Sequence, residues 1–136
     1  MHEAVRYTVA MQRVTGIGGV FFKADDPEGM YQWYEKHLGI KREHGYVAFK
    51  WRGDADPEEH GITAWSIFKR QSNYFDPSTA PMMINYRVDD LDALLEALKA
   101  EGVKIDPKRE DYDYGRFAWI FDPEGNKIEL WEPPKG

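Results

Sequence analysis

Cysteine is absent from this 136-residue chain, which excludes thiolate nucleophiles, disulfides and thiolate-bound metals. Histidine is scarce, with four copies, so any metal site has few imidazoles to draw on. No apolar run approaches the roughly 20 residues that cross a bilayer, and the first residues lack a basic segment followed by an apolar one. A soluble, cytoplasmic protein is therefore expected. Basic residues are outnumbered 18 to 24, giving a formal net charge of −6. Such a surface repels phosphate backbones and anionic membranes, so neither nucleic acid nor membrane is an expected partner.

What is abundant is aromatic. Five Trp, eight Tyr and seven Phe make up 15 % of the chain, enough for a core and for a ring-lined cavity as well. The chain also repeats itself. Ala24-Asp25-Asp26-Pro27 opens a helix that closes at Leu38-Gly39, and Val88-Asp89-Asp90-Leu91 opens another that closes at Glu101-Gly102. The caps lie 64 positions apart (90 − 26) and the closing glycines 63 (102 − 39). Aspartate suits the N-cap because its oxygen accepts from free helical amides, and glycine closes a helix because it adopts a left-handed conformation at little cost. Met30, Trp33, Tyr34 and Leu38 form one apolar stripe, and Leu91, Leu94, Leu95 and Leu98 the other.

Strands surround each helix. Val14–Lys23, Gly45–Arg52 and Gly61–Phe68 are expected in the first half, then Met82–Val88 and a hairpin of Arg116–Asp122 with Lys127–Glu132 in the second. Gly16, Gly18 and Gly19 in the first strand point to a bulge or a close approach. The acidic loop 53–59 reads as a solvated turn. The expected organisation is an N-terminal extension, 1–13, then one domain over 14–136. Its modules, 14–71 and 82–132, are joined by a linker, 72–81, that carries Tyr74 and Phe75. Gly61–Trp65 aligns with Lys127–Trp131 at an offset of 66 (131 − 65).

Three strings carry a resemblance: Ala24-Asp25-Asp26-Pro27 with Trp33-Tyr34 and His37-Leu38-Gly39; Tyr86-Arg87-Val88-Asp89-Asp90-Leu91; and Phe121-Asp122-Pro123-Glu124-Gly125-Asn126-Lys127-Ile128-Glu129-Leu130-Trp131. With them the chain resembles the vicinal oxygen chelate superfamily, the glyoxalase, bleomycin-resistance and extradiol-dioxygenase group, from about Gly16 to Glu132. The resemblance implies an α+β fold in which two βαβββ modules form a cupped mixed sheet, with helices on the convex face and a small-molecule site in the cup. It also implies a homodimer. Alternation along the strands then assigns side chains to the cup. Gly19, Phe21 and Lys23 face it from the first strand, Met83, Asn85 and Arg87 from Met82–Val88, Thr63 and Trp65 from the first half, and Glu129 and Trp131 from the second.

Metal-dependent members of that superfamily place His or Glu at four symmetry-related strand positions. Here those positions fall on Gly19, Met83, Thr63 and Glu129, so one strong ligand survives. His2, His37, His44 and His60 have no spacing that aims two rings at one ion, and each reads as a surface residue. The expectation is no metal and no other cofactor, with a divalent metal as the alternative.

Ligand contacts are expected from Phe21, Trp65, Met83 and Trp131 as apolar walls and from Asn85 and Arg87 as polar groups. Glu129 is the candidate catalytic residue, as general base or hydrogen-bond acceptor, against the plainer reading of a carboxylate paired with Arg87 or Lys23. The segment Asp111–Arg116 is a candidate rim or lid. Two functional readings lead: a metal-free, small-molecule-binding protein of the glyoxalase and bleomycin-resistance type, and a metal-dependent lyase, isomerase or dioxygenase using Glu129. A third is a partner-binding dimer whose cup is filled by its own rings.

Overall fold

The computed structural model describes residues 13–52, 58 and 60–135. The extension before Arg13 and most of the acidic loop lie outside the described residues. In chain order the elements are β1 (Val14–Ala24), α1 (Pro27–Leu38), β2 (Val47–Arg52), β3 (His60–Lys69), β4 (Met82–Val88), α2 (Leu91–Ala100), β5 (Lys104–Tyr112), β6 (Gly115–Phe121) and β7 (Lys127–Glu132). The helices begin where their caps dictate. Gly29 N donates to the Asp26 carboxylate at 3.1 Å and Ala93 N to that of Asp90 at 3.0 Å. They end where glycine permits, with φ of 70° at Gly39 and 80° at Gly102.

The seven strands form one mixed sheet in the order β2-β3-β1-β4-β7-β6-β5. β1 and β4, the first strands of the two halves, pair antiparallel at its centre, and each pairs on its outer side with the last strand of its own half, in parallel. The second half has three strands after its helix. In the first half, two strands and an isolated bridge, Glu43 to Tyr46, follow the helix among the described residues. β5 supplies the third strand of the βαβββ module that the resemblance implies, at a place not read from the sequence, and the rim segment Asp111–Arg116 spans the end of β5, the turn and the start of β6.

One face of the sheet carries the helices. Val88, Leu91, Leu94, Ala118 and Leu130 bury one another beneath α2, and Ala24, Tyr31 and Ile67 do so beneath α1. Each fully buried Leu or Val contributes roughly 1.5–3 kcal/mol, so the apolar stripes of the helices fix which face of the sheet they cover. Tyr31 adds a polar tie, since Ile67 N donates to its hydroxyl at 2.8 Å. A third cluster, Phe75, Met83 and Trp119, lies apart from these two and brings in the chain between the halves. Phe75 is fully buried, and Lys23 N donates to Pro81 O at 2.8 Å, so this connection is packed onto the sheet.

Candidate functional site

A cavity of about 640 Å³ opens on the sheet, and its walls are rings. On the β3 and β1 side stand Phe68 and Phe21, their centroids 5.6 Å apart, with Tyr74 stacked on Phe68 at 5.5 Å. On the β7 and β6 side Trp131 and Phe117 lie parallel within 9°, 6.2 Å apart. Trp131 Nε1 donates to Tyr114 O at 2.9 Å, which ties the β5–β6 turn to that wall. Tyr114 lines the cavity and Tyr112 stacks on it at 5.0 Å, so this segment is a rim.

Asn85 on β4 and Glu129 on β7 contribute polar groups between the two walls, side by side in register. Glu129 is 2 % exposed and accepts three hydrogen bonds. Asn85 Nδ2 donates to Oε1 at 2.6 Å, Trp119 Nε1 donates to Oε2 at 3.0 Å, and the Tyr74 hydroxyl also donates to Oε2. Burial pushes the Glu129 carboxyl above the ordinary glutamate range, while those three donors and the charge of Lys127 pull it back. Burial and the adjacent carboxylate raise the Tyr74 phenol, so it stays protonated and remains a donor.

No salt bridge reaches Glu129 among the described residues. The expected partners are engaged elsewhere: Arg87 lies over the Trp51 ring at 5.2 Å and Lys23 over Phe75 at 5.1 Å. Lys127 donates to Tyr74 O at 3.0 Å, a contact that anchors the connection from which Tyr74 reaches Glu129.

Of the side chains assigned to the cup from sequence, Phe21, Asn85, Glu129 and Trp131 line the cavity. Three do not. Trp65 packs beneath α1 against Tyr31, Tyr34 and Phe22, because β3 presents Ile62, Ala64, Ser66 and Phe68 to the cavity, one residue out of phase with the expectation. Met83 is buried under Phe75 and Trp119. Arg87 is held at the β2–β3 corner, where Trp51 Nε1 also donates to Thr63 Oγ1 at 3.0 Å. Thr63 in turn donates to Ile17 O and does not line the cavity.

Register replaces Thr63 in the symmetry argument. Phe21 pairs with Met83, Gly19 with Asn85, Phe21 with Ser66 and Asn85 with Glu129. Exchanging the halves therefore maps Phe21 onto Asn85 and Ser66 onto Glu129. The offset is 63 (129 − 66), not 66. The four symmetry-related positions then hold glycine, methionine, serine and glutamate. Three of the four acceptor positions of the glutamate are already occupied by N–H and O–H donors. This donor set does not suit a divalent ion, which needs several converging N or O ligands. Nor do three His, Asp or Glu side chains lie together among the described residues.

Sequence reasoning missed His44, Ser66, Phe68 and Phe117, which border the cavity, whereas Tyr114 lies in the expected rim segment and Tyr74 in the linker whose aromatics could cover the cup. His44 was read as a surface residue; it is exposed, and it sits at the cavity's edge in a turn where both it and Gly45 have positive φ, 54° and 91°.

The profile of the Glyoxalase/Bleomycin resistance protein/Dioxygenase superfamily matches residues 16–130, and the chain belongs to that superfamily. No curated protein matches the chain. Among solved structures, methylmalonyl-CoA epimerase from Mycobacterium tuberculosis is similar at 22 % identity and a TM-score of 0.63, over 96 % of both chains. A Streptomyces coelicolor methylmalonyl-CoA epimerase variant in complex with 2-nitronate-propionyl-CoA is similar at 15 % identity and a TM-score of 0.65, over 90 % of this chain and 99 % of that one. The structure named as an NAD-dependent benzaldehyde dehydrogenase from Legionella pneumophila is similar at 13 % identity and a TM-score of 0.55, over 85 % and 98 %. At such identities the likeness is one of fold.

Proposed function

We propose that the chain is a small-molecule-binding protein whose aromatic cup works without a metal. The observation that carries this reading is the 640 Å³ cavity with rings on two sides and Asn85 and Glu129 between them. Cavities of this size suit small ligands, with apolar walls supplying affinity and a few polar groups fixing orientation.

The metal-dependent alternative is disfavoured by the state of Glu129. Binding an ion there would require turning away the Tyr74, Asn85 and Trp119 donors and recruiting further ligands from glycine, methionine and serine. The acyl-CoA ester in the Streptomyces neighbour is a polyanion. Among the described residues no lysine or arginine lines this cavity, so that ligand class has no counter-charge at the cavity wall. The self-filled cup is disfavoured by the open volume.

Elemental analysis of protein purified without chelator or affinity metal tests the reading, together with a thermal-shift series in Ni, Zn, Mn and Fe and a ligand screen followed by intrinsic tryptophan fluorescence. The expected result is no stoichiometric metal and at least one stabilising ligand whose effect disappears in Ala64→Trp, which fills the cavity. Stoichiometric metal that is lost in Glu129→Ala would overturn it.

A further inference from the structure

The Glu129 carboxylate has about four acceptor positions, two on each oxygen. Trp119 and Tyr74 take both of those on Oε2, and Asn85 takes one on Oε1. Glu129 borders the cavity, and among the described residues nothing takes the remaining position on Oε1. The neighbouring polar atom cannot supply a donor to fill it. Asn85 Nδ2 is committed to Glu129, and Asn85 Oδ1, a buried acceptor without a partner among the described residues, lies against Gly18. Ser66 is the remaining short polar side chain in the lining, and its hydroxyl both donates and accepts.

The walls point the same way as the floor. Trp131, Phe117, Phe21 and Phe68 line the cavity, aromatic rings attract cations through their negative quadrupoles, and the protein as a whole carries a formal charge of −6. With no lysine or arginine in the described lining, the Glu129 carboxylate and the aromatic walls together favour positive charge or donated hydrogen.

We propose that the ligand is a planar aromatic amine or ammonium compound that stacks between the two ring walls and donates a hydrogen bond to Oε1 of Glu129, and that aromatic carboxylates are rejected. This inference rests on the proposed small-molecule-binding function and specifies its ligand class. Charge is the discriminating feature, because a carboxylate would set two anionic groups against each other in a buried, weakly screened space.

The test compares three acridines of nearly equal shape: 9-aminoacridine, 9-methylacridine and acridine-9-carboxylate. Binding is measured by fluorescence titration at constant ionic strength to wild type, Glu129→Gln, Ser66→Lys and the cavity-filled Ala64→Trp, each checked for folding by its thermal melt. Wild type is expected to bind 9-aminoacridine roughly tenfold or more tighter than the carboxylate, a difference typical of one buried charged hydrogen bond. The methyl compound falls between them. Ala64→Trp is expected to lose binding of all three, which separates the cup from adventitious attraction to an acidic surface. Glu129→Gln collapses the preference for the amine. Ser66→Lys, which leaves Glu129 in place, shifts it toward the carboxylate. Equal binding of the three probes by wild type, or a preference for the amine that survives Glu129→Gln, would overturn the ligand class while leaving the binding cup intact. Failure of all three to bind wild type would overturn the cup itself.

Discussion

The Asn85 amide on β4 donates to Glu129 Oε1 on the adjacent β7 at 2.6 Å, a side-chain bond across the parallel pairing of the second half's first and last strands. Both side chains are buried, so the bond is worth most when it is broken from one side. In Asn85→Leu the carboxylate keeps Tyr74 and Trp119 but loses its Oε1 partner inside the protein. Leaving a buried polar group unmet costs about 1–3 kcal/mol. The urea midpoint is expected to fall by that equivalent with an unchanged m-value. A double-mutant cycle with Glu129→Gln should recover part of the loss, because the two residues act as a unit. Additive effects would show that the bond contributes nothing to stability.

The pH dependence of stability follows from the raised Glu129 carboxyl. An acid whose folded pKa stands above its unfolded value keeps an extra proton in the native state between the two, so stability is fullest below the unfolded value and declines as pH rises through the folded one. The window therefore opens near the ordinary glutamate pKa of about 4.3 and extends upward, with a slope of at most about 1.4 kcal/mol per pH unit from a single group. Asp92 beside Arg109, Glu101 beside Arg13 and Glu28 beside Arg42 are held low and act in the opposite sense, below the ordinary carboxylate range. Denaturation curves collected across pH for wild type and Glu129→Gln isolate the Glu129 contribution. The difference between the two proteins is expected to change only above the ordinary glutamate range. A flat difference would place the carboxyl at its ordinary value.

Gly18 is required for a different reason from Gly39. β1 bulges between Ile17 and Gly19, and a Cβ at Gly18 would come 2.2 Å from Asn85 Oδ1 and 2.8 Å from the Trp131 ring. Neither neighbour can move cheaply, since Asn85 is bonded to Glu129 and Trp131 to Tyr114 O. Gly18→Ala is expected to cost about 1–3 kcal/mol through overpacking and to weaken ligand binding, because the displaced side chains border the cavity. At Gly39 a Cβ meets nothing within 4 Å, and only the left-handed backbone opposes substitution. Gly39→Ala should cost about 1 kcal/mol and leave binding unchanged. Thermal melts and titration of the same ligand on both variants make the comparison.

The elements that repeat were legible because each is marked by local chemistry. Asp26 and Asp90 announce the helix starts and Gly39 and Gly102 their ends, while Ile84, Tyr86 and Val88 separate cleanly from Met83, Asn85 and Arg87 on β4. β5 was hidden because Lys104–Tyr112 is a charged edge strand with an internal proline, the composition that edge strands use to resist pairing and that leaves no apolar alternation. The phase of β3 was lost because aligning Trp65 with Trp131 matched two aromatic residues that lie on opposite faces of the sheet. The hydrogen-bonded register, which pairs Ser66 with Phe21, corrects it. The donor from Tyr74 to Glu129 was out of reach for a third reason. Tyr74 and Phe75 arrive from a segment between the halves whose path no strand period describes, and Met83 is covered in part by that segment.

Phe75 makes the role of this connection measurable. It is fully buried against Met83 and Trp119, and Tyr74 beside it donates to Glu129, so the segment both limits the cavity and holds the carboxylate. Removing the ring in Phe75→Ala is expected to cost about 3–5 kcal/mol, the usual penalty for a large core aromatic. The vacated space lies next to Met83 and beside Phe68 and Tyr74, which line the cavity, so it is expected to extend the cup in that direction. A bulkier tetracyclic amine should therefore gain affinity relative to a tricyclic one in Phe75→Ala when both are measured below the variant's melting temperature. Tyr74→Phe separates the two roles. It keeps the ring stacked on Phe68 but removes the donor, so it should raise the Glu129 carboxyl further and leave ligand size selectivity as in wild type. Were Phe75→Ala to lose stability without changing size selectivity, the connection would support the sheet but not bound the cavity.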